Sequence, residues 1–442
     1  MGILSKILSQ KTKNKFHLLE AKMANLKYGN PAKNIKIIGV TGTKGKTSVC
    51  NMIASVLDAA GIKNAMETTI NTKIGDKITP HTTKSRWVST PPSSVIQKFL
   101  KEAVHEKCKY VILEVTSHSI DQNRIYGIDF DVLIYTNLSH EHLEYHKTKE
   151  EYLATKLKLF RDNPKAKFIV NMDDANWEKF HSLPAKDKLL YSTKKMIDHG
   201  AVARKILPSS NSITFTAAYD SGQSTVNLNL PGVFNVQNAL AAFCTGLALG
   251  IDPEKIKLGL ENIELISGRM ESIKVSKDQD FTVIVDYAHN PDSLKNVYET
   301  VKDGMKNTGG QLIAVLGATG RRDKTKRPIM GALAGRYADL VIFTDEDPYD
   351  EDPALIIEQV AEGIHRGGKK KHQWHLHRNY WKVLDRAQAI HKAILEAKKN
   401  DVVLITGKGA EEVMAVGLQK FIPFSDRKIA REELKKRFHI QG

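Results

Sequence analysis

Apolar residues in this chain fall into short continuous runs separated by stretches of helical spacing. Ile35, Ile37, Ile38 and Val40 make a run of strand length, and residues 49–57 then place apolar side chains at helical intervals as far as Gly61. Further strand-like runs occupy 111–115, 131–136 and 168–171, and 152–160 reads as a helix. Strand and helix in alternation predict an α/β fold with a mostly parallel sheet. Residues 185–230, rich in Thr and Ser, predict a β-rich excursion, and 234–249 a helix after Pro231-Gly232. Beyond Ser267-Gly268-Arg269 a second alternation begins, with strands at 281–286, 311–316, 340–344 and 401–405. The expected division is a short N-terminal segment, 1–33, and two α/β domains, 34–267 and 268–442.

The N-terminal segment is basic. Ile3, Leu4, Ile7 and Leu8 suggest one short amphipathic helix, and residues 16–26 a second. Such a helix can lie on a membrane surface or pack on the domain that follows, and packing is the expectation. The whole chain of 442 residues carries a formal net charge of +16. That surplus suits nucleic acid, anionic lipid or acidic small substrates, and no basic block is interleaved with aromatics as a nucleic-acid surface would require. Cys50, Cys108 and Cys244 lie far apart without metal spacing, as expected of reduced thiols in a cytoplasmic protein. No apolar run approaches a membrane span, and the N-terminus does not read as a signal peptide.

The chemistry starts at Gly39-Val40-Thr41-Gly42-Thr43-Lys44-Gly45-Lys46-Thr47-Ser48. A strand, a glycine loop, Lys-Thr and a helix form the layout of a phosphate-binding loop. Backbone N–H groups and the helix N-terminus face phosphate, the lysine reaches the outer phosphates, and the threonine hydroxyl suits Mg²⁺. The strict pattern wants glycine where Val40 stands, so this is a variant loop. Glu114, at a strand end, and His142, after another strand, lie where open α/β sheets place their ligands. With Thr47 they could converge on a metal.

These residues carry a resemblance. Gly42–Thr47, Glu114-Val115-Thr116-Ser117-His118, Thr136-Asn137-Leu138, Tyr152-x-x-x-Lys156-x-x-x-Phe160, Phe234-Asn235-Val236-Gln237-Asn238, Ser267-Gly268-Arg269-Met270-Glu271 and Asp286-Tyr287-Ala288-His289-Asn290-Pro291 follow one another as in the Mur ligase family. Those are ATP-dependent amide ligases of peptidoglycan precursor synthesis. Within the family the chain most resembles the branch that adds the third peptide residue, through Arg322-Asp323-Lys324, Glu346-Asp347-Pro348, Gly407-Lys408-Gly409-x-Glu411 and Pro423-Phe424-x-Asp426-Arg427. The resemblance implies a central phosphate-loop ATPase domain and a C-terminal Rossmann-like α/β domain. It implies ATP and two Mg²⁺ sites, one held by Thr47 and Glu114, the other by His142 and a carbamylated Lys156, with Lys46 on the phosphates. Gly42, Thr43, Lys44, Gly45, Thr47, Ser48, Asn238, Arg269, Asp286, His289 and Asn290 match nucleotide-binding positions. Thr90, Ser117, Gln122 and Arg124 match the side that holds a UDP-linked muramyl dipeptide. Arg322, Glu346, Asp347, Tyr349, Gly407 and Glu411 match the amino-acid side. A monomer in the cytoplasm is implied, with small-molecule substrates.

The chain also departs from the family pattern. Residues 1–33 stand where the family carries a uridine-binding domain, which puts the UDP-linked acceptor in question. The Asp-Asn-Pro-Arg of diaminopimelate-adding enzymes reads Glu346-Asp347-Pro348-Tyr349 here, so the clamping arginine is a tyrosine. Glu346, Asp347 and Glu411 would suit an amino acid with a second amine. Ala410 replaces a usual histidine, and Glu141-His142-Leu143-Glu144 replaces Asp-His-Leu-Asp. A folylpolyglutamate-synthase-like ligase and a non-catalytic ATP-binding protein are the rival expectations. His372, His375 and His377 read as a solvated connection, with His375 and His377 on one face if the stretch is a strand.

Overall fold

The computed structural model describes residues 10–81, 90–139, 141, 143–209, 212–306, 308–367 and 373–440. The chain divides into two compact units. One runs to Glu264 apart from short pieces near 210 and 231, and the other takes in those pieces and the chain from Leu265 on.

The first unit is built on an eleven-stranded sheet. Its parallel centre comprises β1 (Lys36–Thr41), β2 (Asn64–Glu67), β5 (Tyr110–Glu114), β6 (Val132–Tyr135), β7 (Lys167–Asn171), β8 (Asp187–Ser192) and β9 (Gly200–Pro208). Their order across the sheet is β9-β8-β7-β6-β1-β5-β2. All of β5 and β6 is buried, as a strand covered on both faces must be. The hairpins β3–β4 (Asn71–Ile74, Lys77–Pro80) and β10–β11 (Ile213–Tyr219, Gly222–Leu228) extend its two edges. The β-rich excursion is therefore β8 to β11.

Helix α1 (Gln10–Lys27) packs on α3 (Ser93–His105), and its Ala21, Ala24 and Asn25 are buried. The Ile3-to-Leu8 helix expected before it lies outside the described residues. Helix α2 (Lys46–Ala59) follows β1 and is covered by α6 (Val233–Ala248) and α7 (Pro253–Glu261). Between β1 and α2 the chain makes only a four-residue turn, which places the helix N-terminus above the carboxyl ends of β1, β5 and β6. Helices α4 (Ser117–Asp121) and α5 (Lys149–Arg161) follow β5 and β6.

The second unit has a six-stranded sheet in the order β12-β13-β17-β14-β15-β16. These strands are Glu271–Ile273, Thr282–Asp286, Val402–Thr406, Leu312–Leu316, Leu340–Phe343 and Tyr380–Lys382 in that order, and only β12 runs antiparallel. Helices α8 (Pro291–Gly304), α9 (Lys326–Tyr337), α10 (Pro353–Ala361), α11 (Arg386–Glu396) and α12 (Asp426–Arg437) complete it, with a small hairpin β18–β19 (Val413–Ala415, Phe421–Pro423). In the histidine stretch His375 and His377 are exposed, as a solvated connection requires, and the strand that would align them is not formed. Leu376 makes a single bridge to Tyr380 and residues 377–379 form a turn, so His375 and His377 do not share a strand face. A turn wins because Asn379 Oδ1 accepts the His375 backbone N–H at 2.7 Å and folds the segment back. His372 lies outside the described residues.

Candidate active site

The first cluster forms around the loop after β1. Gly45 adopts φ +82°, a left-handed conformation natural to glycine, and starts α2. The loop is held by the carboxyl end of β6. The Thr43 N–H donates to the Asn137 carbonyl at 2.8 Å, and the Lys44 N–H to Asn137 Oδ1 at 3.0 Å. Thr136 Oγ1 donates to the Lys44 carbonyl at 2.6 Å. Thr43 Oγ1 lies 3.1 Å from the Tyr152 hydroxyl of α5. Thr47 and Ser48 are buried in the first turn of α2, and Asn238 of α6 stands against Gly45. Thr136 and Asn137, at the end of β6, supply the backbone-fixing bonds, and Tyr152 and Asn238 add contacts from two helices, so the fold shapes the loop before any ligand arrives.

Thr47 Oγ1 donates to Glu114 Oε2 at 2.8 Å, and the same oxygen accepts from the Thr69 backbone N–H (3.2 Å) and Thr69 Oγ1 (3.3 Å). A hydroxyl and a carboxylate brought together at a helix N-terminus are the hard oxygen donors that Mg²⁺ takes, so these residues fit that ion. Among the described residues no three His, Cys, Asp or Glu side chains form a metal cage. His142 lies outside the described residues. Lys156 is 1% exposed, and its Nζ donates to the Gly42 carbonyl at 2.8 Å and to Thr41 Oγ1 at 3.3 Å. Burial, with the Lys46 charge next, pushes its ammonium well below the usual lysine range. Lys46 folds over the loop, 2.8 Å from the Thr43 carbonyl.

Sequence reasoning missed the neighbours of this cluster. Glu67, at the end of β2, is buried with His81 Nε2 3.2 Å away, and burial raises its carboxyl. Thr69 and Tyr152 were also unassigned, although Tyr152 stands in the same four-residue spacing that carries Lys156.

Of the acceptor-side residues, Thr90, Gln122 and Arg124 are joined in one network. Thr90 Oγ1 donates to the Glu114 carbonyl at 2.9 Å and lies 3.0 Å from Thr116 Oγ1. The Arg124 guanidinium donates to Gln122 Oε1 through Nε (3.0 Å) and Nη2 (2.6 Å), and to the Thr90 carbonyl through Nη1 at 2.5 Å. Ser117 Oγ is buried with no hydrogen-bond partner among the described residues. Helix α1 reaches this network, because Asn14 donates to Asp121 Oδ2 at 2.8 Å and Gln10 to the Tyr145 hydroxyl at 2.9 Å.

The second unit carries its own cluster. Asp286 ends β13 and accepts the N–H groups of Met270 and Ala288, each at 2.8 Å, while Arg269 stacks on the Tyr287 ring. Asn290 caps α8 through its bond from the Ser293 N–H, and His289 Nδ1 lies 2.8 Å from the Tyr287 carbonyl. Beyond the ends of β15 and β17 three acidic residues follow in sequence. Glu346 is 2% exposed; its Oε1 accepts from Thr319 at 3.0 Å, and its Oε2 is buried without a partner among the described residues. Burial raises its carboxyl and pushes that of Asp345 up to about 6. Asp347 and Glu411 are different. Lys408, fully buried, donates to Asp347 at 2.7 Å and to Glu411 at 2.5 Å. The expectation that all three of Glu346, Asp347 and Glu411 await an amine is therefore narrowed to Glu346, with Asp345 added. Gly407 presses against Glu346, Tyr349 sits on the Asp347-to-Ala415 side, and Arg322 lies in the turn ahead of α9.

Residues 40–246 match the Mur ligase middle domain, and residues 268–409 the Mur ligase glutamate ligase domain. The UDP-N-acetylmuramoyl-L-alanyl-D-glutamate–2,6-diaminopimelate ligase of Clostridium botulinum is 39% identical over 414 residues, covering 93% of this chain and 80% of that protein. The like-named ligase of Caldanaerobacter subterraneus is 37% identical over 94% of this chain and 81% of its own length. A solved structure of such a ligase shares 30% identity and a TM-score of 0.62, covering 92% of this chain and 79% of that one. In fold alone, a Mycobacterium tuberculosis folylpolyglutamate synthase also aligns, at 14% identity and TM-score 0.69 over 96% of each chain. A phosphate loop fixed by strand ends and both domain matches in sequence order lead to one assignment: this chain is an ATP-dependent ligase of the Mur ligase family.

Proposed function

We propose that this ligase joins an amino acid to the terminal carboxylate of a UDP-N-acetylmuramoyl-dipeptide acceptor, in peptidoglycan precursor synthesis in the cytoplasm, acting as a monomer. The observation that carries the reading is the 2.8 Å bond between Thr47 and Glu114 at the start of α2, beside a phosphate loop already held in shape. An acceptor carboxylate oxygen attacks the γ-phosphorus of ATP, ADP leaves, and an acyl phosphate forms. The amine of the amino acid then attacks the acyl carbon, loses a proton, and releases phosphate. Both partners of the first step are anionic. The loop N–H groups and Lys46 offset that repulsion and hold the γ-phosphate in line. Thr47 and Glu114 would hold one Mg²⁺, and His142 with Lys156 a second; the ions supply charge neutralisation on the phosphates. Lys156 suits this role as a carbamate, because burial lowers the proton affinity of its amine and so favours addition to carbon dioxide. Asn238, Arg269 and Asp286 are read as nucleotide contacts, and Thr90, Ser117, Gln122 and Arg124 as acceptor contacts.

The added amino acid is read as one with a second ammonium group. Among the described residues Glu346 Oε2 and Asp345 Oδ1 are buried without a hydrogen-bond partner, and an ammonium would satisfy such an oxygen. The test is phosphate release from ATP with UDP-N-acetylmuramoyl-L-alanyl-D-glutamate and lysine, ornithine or diaminopimelate in turn. Release that depends on a diamino acid, with the product mass found, supports the reading. Release only with a glutamylated, nucleotide-free acceptor would move the chain to the glutamyl ligases instead.

A further inference from the structure

Helix α1 presents an apolar stripe that the fold does not use. Ala21, Ala24 and Asn25 are buried, yet Phe16, Leu19, Met23 and Leu26 are 61%, 57%, 63% and 73% exposed. Their spacing of three, four and three residues puts them on one side of the helix, in a row about 15 Å long. Single exposed apolar residues are ordinary, but four in one row on one helix are not.

The charges around the row say what covers it. At 100° per residue, Lys15 and Lys22 border the stripe on one side, and Lys13 and Lys27, with Glu20, on the other. Lys15, Lys22 and Lys27 are exposed. Residues 1–33 hold seven lysines and one glutamate, and the first nineteen hold no acidic residue. An apolar stripe edged by lysines on both sides is the pattern of a helix lying in the headgroup plane of an anionic bilayer, where apolar side chains enter the acyl boundary and ammonium groups meet phosphate. A protein partner would need an apolar groove edged with acid on both sides, whereas an anionic lipid surface supplies both features everywhere.

We propose that the outer face of α1 is a membrane-surface contact, by which the ligase binds reversibly to anionic lipid through Phe16, Leu19, Met23 and Leu26 with Lys15, Lys22 and Lys27. This concerns a surface and does not depend on which acceptor or amino acid the ligase uses.

The experiment is co-sedimentation of the full chain with vesicles of phosphatidylcholine alone and of phosphatidylcholine with about one third phosphatidylglycerol. Binding is expected to the anionic vesicles, weaker by tenfold or more on neutral ones, and falling with salt. The Phe16→Ser/Leu19→Ser/Met23→Ser/Leu26→Ser variant and the Lys15→Glu/Lys22→Glu/Lys27→Glu variant should each lose at least about tenfold in binding. Both should keep the thermal melt and the phosphate-release rate of the parent. Because Cys50, Cys108 and Cys244 are all buried, Met23→Cys can be labelled with an environment-sensitive dye. A blue shift on anionic vesicles places that side chain in the lipid. The idea is overturned by equal binding to neutral and anionic vesicles, by no binding to either, or by a concentration-dependent dimer that the serine variant abolishes.

Discussion

Lys46 and Lys156, from helices separated by more than a hundred residues, donate to the same oxygen, the carbonyl of Gly42, at 3.2 and 2.8 Å. Two lysines on one carbonyl cannot both be comfortable cations, and the buried one yields: Lys156 is held well below its usual range by burial first and by Lys46 second. A lowered pKa favours the free, nucleophilic amine. With ¹³C-labelled bicarbonate, a carbamate carbon signal is expected in the wild type and absent in Lys156→Met. That variant should lose roughly 10²–10³ in kcat. A full-strength signal in Lys156→Met would assign the carbamate elsewhere.

Thr47→Val keeps the shape of the side chain and removes the hydroxyl on Glu114. The pair is buried, so the remaining carboxylate loses a donor. Turnover should fall about 10²-fold or more, with the Mg²⁺ concentration for half-maximal activity rising. A rate fall with unchanged Mg²⁺ dependence would remove Thr47 from the ion's neighbourhood.

A methyl group at Gly407 would stand 2.0 Å from Glu346 Oε2, at a φ of +114° that favours glycine. Gly407→Ala should therefore raise KM for the amino acid strongly while leaving KM for ATP near the parent value. Steady-state kinetics varying each substrate separate the two outcomes.

Asp345 titrates up to about 6 because burial disfavours its charge, with Asp347 adding to the shift. A raised carboxyl contributes stability that is fully present below its unfolded value near about 4 and is lost as pH rises through the folded one. Asp345→Asn does not titrate. Its melting temperature relative to the parent should rise between about pH 4 and 7 and level off above. If an ammonium is the ligand, the parent's KM for the amino acid falls over the same interval.

Arg386 and Asp426 form a bidentate pair at 2.8 Å with neither side chain exposed. Asp426→Asn leaves a buried guanidinium short of its counter-charge, and a loss of about 3–5 kcal/mol in unfolding free energy is expected by denaturant titration.

The sequence made some of this architecture legible and hid the rest for identifiable reasons. The strand, loop and helix around Gly42–Thr47 are local, so spacing alone reveals them. Strand β2 reads Asn-Ala-Met-Glu, four residues with two polar ends, and β16 has three residues; neither is long enough to show a period. Spacing alone makes Lys156 any lysine on a helix; the Tyr152-x-x-x-Lys156-x-x-x-Phe160 pattern singles it out, and its burial adds what no pattern shows. Lys408 could not be paired with Asp347 from sequence, because 61 residues separate partners that meet only when β15 and β17 flank β14. Its neutralising role changes which carboxylates remain open. His142, the one metal-side residue read from the loop after β6, lies outside the described residues.

Helix α7 lies flush on α2 because Gly259 has no side chain. A methyl there would sit 2.5 Å from Val56 Cα, and Ser55 Oγ donates to the Gly259 carbonyl at 2.6 Å. The position of α2 along its axis sets where the loop's N–H groups point. Nucleotide affinity can thus be tuned from a site more than two helical turns from the phosphates. Mutational drift at Gly259 would weaken ATP capture while every residue that meets a substrate stayed unchanged.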